Sequence, residues 1–273
     1  MNDRSGILKN SPLKYALASV RFAPLALLPN QIPEIHGRLR ETLPLLQQVQ
    51  QQIQIVGLMA PNFPQASHAW LIMSSDRSLG AQIGTEQILF FTTTYKRFTD
   101  FQTLILQCLE VLFDVVKFLD ITAVGVRYVD RFKAGDSEEL SNYMSPSFLT
   151  PRVSSFEPAG GLSQYAYRIN DERLAVRFAY TAGIPSIPVD LMGLIATIQG
   201  PAQPLQIKAL EEKEMLLDMD ASRNFLIPQR VNSVVEIDKL LDSLHKRANA
   251  FFRHDEVFTE HAFSVWKGEK HVA

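Results

Sequence analysis

Apolar and polar residues alternate along 15–22 (YALASVRF), which places every second side chain on one face and predicts a β-strand. Pro24 and Pro29 then bend the chain. Ile32, Ile35, Leu39 and Leu43 recur at helical spacing until Pro44 ends the run. VQQQIQIV (49–56) reads as a second strand with a glutamine face, followed by a proline-bearing loop at 61–64. Three short strands come next, HAWLIMSS (68–75), LGAQIG (79–84) and QILFFTTT (87–94), joined at Asp76-Arg77 and Thr85-Glu86 by turns short enough for hairpins. From Asp100 onward, Phe101, Leu104, Ile105, Cys108, Leu112, Val115 and Val116 form one helical stripe. That helix delivers the chain into ITAVGVRYVDRF (121–132), a strand carrying three charges among core-type residues.

The second half opens with a short helical stretch, SEELSNYM, and a loop punctuated by Pro146, Pro151, Pro158 and Gly160-Gly161. QYAYRI (164–169) and RLAVRFAY (173–180) face each other across a tight Asn-Asp-Glu turn, and EMLLDMDA (214–221) follows a long Pro/Gly-bearing connection. Helices at 234–253 and 256–267 close the chain; the first carries Ile237, Leu240, Leu241, Leu244, Ala248, Phe251 and Phe252 as its apolar stripe. The predicted class is α+β, built from two antiparallel-sheet-plus-helix halves, 1–133 and 134–273, of similar element order. Helices are expected on one face of each sheet, and strand 121–132 joins the halves.

Composition adds limits rather than identity. A hydrophobic share of 46% and a charged share of 21% over 273 residues suit a chain with a sizeable core. A net charge of −2 provides no footprint for a nucleic-acid polyanion, so no nucleic-acid partner is expected. Cys108 is the single cysteine, which excludes an internal disulfide, and its apolar neighbours predict a buried, inert thiol. MNDRSGILKN lacks the apolar centre of a signal peptide, and LILQCLEVLF is too short to span a bilayer and is broken by Glu110. A cytoplasmic protein without membrane contact is the expectation.

No nucleophile motif, Gly-rich phosphate loop or cofactor signature is present, so no catalytic set and no cofactor are assigned. Asp238, Asp242 and His245 share a helix face at metal-ligand spacing; the plainer reading is a solvated face with Asp242 paired to Lys246, and no metal is assigned. On strand 214–221, Asp218 and Asp220 point to the same side as Arg168 and Arg177 on the preceding strands, which predicts a cross-strand charge ladder rather than a poised carboxylate pair. On strand 121–132 the same parity puts Val124, Val126, Tyr128, Asp130 and Phe132 on one face, and Arg127 and Arg131 on the other. The two arginines can clamp an anionic ligand bidentately or tie parts of the fold together.

Arg127-Tyr128-Val129-Asp130-Arg131 resembles the R-Y-x-N-R strand of a sporadically distributed bacterial family of about this length and uncharacterised activity. VRFAP (20–24), the Leu-Asp-x-Asp strand at 217–220, and the closing LHKRANAFF…FTEHAFSVW (244–266) are similar as well. Asp130 stands where that family has asparagine. The patchy occurrence of such genes implies a role in bacterial conflict, as an immunity protein that neutralises a cognate toxin or effector by direct binding. Leu191, Met192, Leu194 and Ile195, in the apolar connection 183–204, are the expected anchor for such a protein partner, unless that segment folds back onto the protein. The alternative is an anion-binding module or enzyme built on Arg127 and Arg131 with nearby carboxylates.

Overall fold

A computed structural model describes residues 4–52, 66–199 and 207–269 of the chain. The alternating segments become strands β1 (Leu13–Phe22), β2 (Leu45–Gln52), β3 (Ala66–Met73), β4 (Leu79–Gly84), β5 (Gln87–Thr92), β6 (Leu119–Lys133), β7 (Leu162–Ile169), β8 (Glu172–Ala179) and β9 (Glu214–Val231). The periodic segments become helices α1 (Leu28–Leu39), α2 (Phe98–Val116), α3 (Leu140–Tyr143), α4 (Met192–Ile198), α5 (Val234–Phe252) and α6 (Glu260–Lys267). The expected strand residues 53–56 and the loop 61–64 lie outside the described residues.

Every strand pairing is antiparallel, and the class is α+β. The strands form one continuous sheet in the order β2-β3-β4-β5-β1-β6-β9-β8-β7 rather than two separate ones. The junction is β6, which pairs with β1 on one side and β9 on the other. The sheet runs through the expected boundary at 133/134, since β6 before it pairs with β9 after it.

Strand parity decides what each face must bury. On one face, Ala16, Ala18, Val20, Val124, Val126, Tyr128, Leu217 and Met219 pack against the stripes of α1, α2 and α5. At one end of this core Phe132, Tyr143, Phe252, Phe258 and Trp266 form a ring cluster, with Trp266 stacked on Phe252 at 5.3 Å and Phe132 edge-on to Trp266 at 5.5 Å. Cys108 sits in this core at 1% exposure, and burial pushes its thiol up to about 12.

The central strands are apolar at the other parity as well: Tyr15, Leu17, Phe91, Val129 and Leu216 point to the opposite face. A sheet apolar on both sides needs cover on both sides. The connection after β8 supplies it. A 3₁₀ turn at Val189–Leu191 and helix α4 lay Ile187, Leu191, Ile195 and Ile198 across that face, joined by Leu210.

Three boundaries differ from the sequence reading. Helix α1 begins at Leu28 because Pro29, with no N–H to lose, fits its first turn. Strand β9 runs ten residues past Ala221 to Val231, with pairing to β6 interrupted between Ala123↔Asn224 and Ile121↔Gln229. Helix α6 starts at Glu260, where the Thr259 hydroxyl accepts a hydrogen bond from the Ala262 N–H. No helix among the described residues is long and apolar enough to cross a membrane.

Candidate functional site

The predicted charges separate onto the two faces of the sheet. On the face covered by α4, Arg127 donates from Nε to Asp218 Oδ1 at 2.7 Å and from Nη2 to Asp218 Oδ2 at 2.8 Å. Its outer edge donates to Asp190 at 2.5 and 3.1 Å. Arg177 reaches the same Asp218 at 3.4 Å and Asp190 at 4.0 Å. One side chain on β6 therefore clamps β9 beneath it and the crossing segment above it. Arg131 repeats the arrangement, with its Nε 3.2 Å from Glu214 of β9 and its Nη1 donating to Ser186 at 3.2 Å. Burial works against the charge on Arg127, but the hydrogen bonds to Asp190 and Asp218 outweigh it together and hold the guanidinium firmly protonated.

This geometry leaves Arg127 no free edge for an exogenous anion. Asp220 lies opposite Arg127 in the β6–β9 register and is largely buried, which raises its pKa. Arg168 does not join: it is exposed on the edge strand, across from Arg173. The expected partner anchor is also corrected. Leu191 and Ile195 are buried at 6% and 1% exposure against the sheet, and Met192 and Leu194 are half-buried beside them. The apolar connection folds inward because the second sheet face demands cover.

Asp130 lies on the other face, where it borders a cavity of about 900 Å³ on the helix side. Its walls come from the N-terminal segment 6–13, the β5–α2 junction at 95–100, the β6 and β9 residues Tyr128, Asp130 and Met219, and α5 between His245 and Arg253. The N-terminal segment is strapped across by Arg4 Nη2 to Glu260 at 2.6 Å, by Arg253 Nη2 donating to the Gly6 carbonyl at 3.0 Å, and by the Asn10 N–H donating to the Trp266 carbonyl at 2.8 Å.

Within the cavity, Tyr128 Oη lies 2.7 Å from His245 Nδ1, and the His245 ring stacks on Phe98 at 4.0 Å with 6° between planes. Burial lowers His245 to about 4 and raises Tyr128 well above the ordinary phenol value, so both are neutral at pH 7. Asp130 is 3% exposed, and its Oδ2 has no hydrogen-bond partner among the described residues. Burial pushes its carboxyl up to about 8; Lys14 opposes the shift and Asp218 adds to it.

The helix face read as a metal candidate comes apart. Asp238 accepts from Gln102 Nε2 at 2.5 Å, Asp242 pairs with Lys246 at 2.6 Å, and His245 turns to Tyr128. Among the described residues no group of three His, Cys, Asp or Glu is placed to hold a metal ion. Sequence reasoning had Asp130 on its list but missed Tyr95, Tyr128, His245 and Arg253 as cavity residues. The signal was faint: Asp130 shares its strand face with Val126, Tyr128 and Phe132, an unusual place for a carboxylate. No family model matches the chain, and no curated protein matches it.

Two predictions arise from these charges. Arg127→Ala takes the bidentate partner from the Asp218 carboxylate, 4% exposed, and leaves it, among the described residues, only Arg177 at 3.4 Å; it is expected to lower stability by about 3 kcal/mol. Asp190→Asn, on the 54% exposed arm of the clamp, is expected to change it by about 1 kcal/mol or less. Urea unfolding of both variants checks the contrast, and equal effects would contradict the clamp. For Asp130, a folded pKa of about 8 against an ordinary 3.8 means that the unfolded chain binds fewer protons in that interval. Its contribution to stability is therefore lost as pH rises through the window. Asp130→Asn removes this titration, so its stability relative to wild type is expected to increase steadily from pH 4 to pH 8 in denaturation series. A pH-independent difference would refute the buried, raised carboxyl.

Proposed function

We propose that the protein is a non-catalytic binding module acting in the cytoplasm, and that it receives a small organic molecule in the cavity between β6, α2, α5 and the N-terminal strap. The observation that carries this reading is Asp130, a buried carboxyl whose Oδ2 lacks a partner on the wall of an open cavity. A buried polar atom without a hydrogen bond costs about 1–3 kcal/mol, and a ligand that supplies the bond offsets that penalty. The cavity volume falls in the range of about 300–1,000 Å³ typical of ligand sites, and its mix of rings and a few polar groups is typical too. Binding without turnover is favoured because Tyr128 and His245 satisfy each other, and a histidine lowered to about 4 is a weak base at neutral pH.

The test is a screen of ring-bearing fragments by ligand-observed NMR on wild type and on Asn249→Trp, which fills the cavity from α5. Fragment binding lost in Asn249→Trp is expected. No binders, or binders indifferent to the substitution, would remove the reading.

A second reading, the immunity-type protein partner that the family resemblance implies, is favoured by a different feature. Leu226 and Ile227 project at 104% and 82% exposure from the interrupted stretch of β9. An adjacent, strongly exposed Leu-Ile pair is the kind of apolar knob that a protein partner buries. Co-expression with toxin-like proteins encoded beside the gene is expected to give a co-purifying complex that Leu226→Asp/Ile227→Asp disrupts. Failure of every neighbour to co-purify would sink this reading.

A further inference from the structure

We propose that the cavity's ligand is a purine mononucleotide, with its phosphate at the mouth, its base among the aromatic rings and the base edge against Asp130. The inference rests on the cavity reading above and specifies its chemistry. Three independent features of the lining point to the same molecule.

The first is the charge of the mouth. Lys9, Lys96 and Arg97 line the cavity from exposed positions, and half-buried Arg253 joins them from α5. Among the described residues Lys9, Lys96 and Arg97 make no ion pair, unlike the engaged arginines on the other sheet face. Among the described residues the carboxyls in the lining are Asp100, at the mouth, and Asp130, inside. Helix α2 begins at this rim with Arg97 as its N-cap and no side chain capping its first amides. Its 19-residue dipole therefore adds partial positive charge where the cations already sit. Cations plus uncapped amides form a site for a compact, multiply charged anion, and phosphate suits both donor types.

The second feature is the interior. The stacked Phe98 and His245 rings, with Tyr128 set edge-on to His245 at 5.9 Å and to Tyr95 at 5.9 Å, give flat walls. Stacking on such walls contributes about 1–3 kcal/mol for a nucleobase. The third is the wall at the sheet. Asp130 borders the cavity there, and a carboxyl kept protonated by burial offers one donor and one acceptor, which match a ring nitrogen beside an amino group or a lactam C=O beside its N–H, edges that purines present. The Tyr128–His245 bond engages Nδ1, which leaves Nε2 as the second polar atom of that ring for the ligand. A lipid or fatty acid would satisfy the mouth and the rings but leave Asp130 unpaired, and a simple anion would use the mouth alone.

The experiment is calorimetric titration of the full chain at neutral pH with GMP, AMP, guanosine, adenosine and inorganic phosphate. At least one of the two mononucleotides is expected to bind, about tenfold or more tighter than its own nucleoside. Lys96→Ala/Arg97→Ala is expected to erase that difference while leaving nucleoside affinity unchanged. Asp130→Asn is expected to weaken nucleotide and nucleoside alike. Phosphate binding as tightly as the nucleotides, or nucleosides binding as tightly as nucleotides, would overturn the proposal. If neither GMP nor AMP binds while ring fragments still occupy the cavity, the nucleotide inference fails and the cavity reading stands. If the fragments fail as well, both fall.

Discussion

The guanidinium of Arg127 ties three parts of the fold to one another: its own strand β6, the neighbouring β9 and the segment that crosses the sheet. It lies between Asp218 on the neighbouring strand and Asp190 on the crossing segment, with bidentate hydrogen bonds to each. A buried ion pair is a weak source of net stability, because desolvation consumes most of its Coulombic gain. What it supplies is placement. A crossing segment with only apolar contacts could slide over the sheet; an arginine fork admits a single registry. Arg131, Glu214 and Ser186 fix the same segment a second time, two strand periods along.

That placement shapes the opposite face. With Arg127, Val129 and Arg131 turned to the α4 side, the alternate residues Tyr128 and Asp130 serve the helix side, where Tyr128 meets His245 of α5. There the packing is incomplete: the strap 6–13, the start of α2 and the C-terminal half of α5 border a space instead of a solid core. Buried carboxyls without partners are rare in folded proteins, because desolvation penalises them heavily. Asp130 persists in a position whose strand neighbours are Val126, Tyr128 and Phe132, closely covered yet bordering the cavity. Local destabilisation of this kind, confined to the wall of a cavity, is the usual physical mark of a binding site.

Some of this was legible in the linear chain. The period of two along YALASVRF and EMLLDMDA, and the helical stripes beginning near Phe101 and Ile237, predicted the corresponding strands and helices, since local periodicity follows directly from backbone geometry. Parity alone set Asp130 apart from Arg127 and Arg131. The cavity was not legible, because residues near 9, 97, 130 and 245 come together only through sheet order and helix docking, and no spacing rule links them. His245 was instead grouped with Asp238 and Asp242, its neighbours in helical spacing, when its real partners are Tyr128 and Phe98.

The connection 183–204 shows where the division lies. Its apolar composition establishes from sequence alone that Leu191 and Ile195 must be buried against something. Which surface buries them depends on whether the second sheet face is already covered, and that is a property of nine strands assembled together. For ITAVGVRYVDRF, the sequence determined a strand, its two faces and the sides on which its charges lie. Tertiary structure decided their roles, because a charge acts through its partners, and those partners come from β9, α5 and a segment some sixty residues downstream.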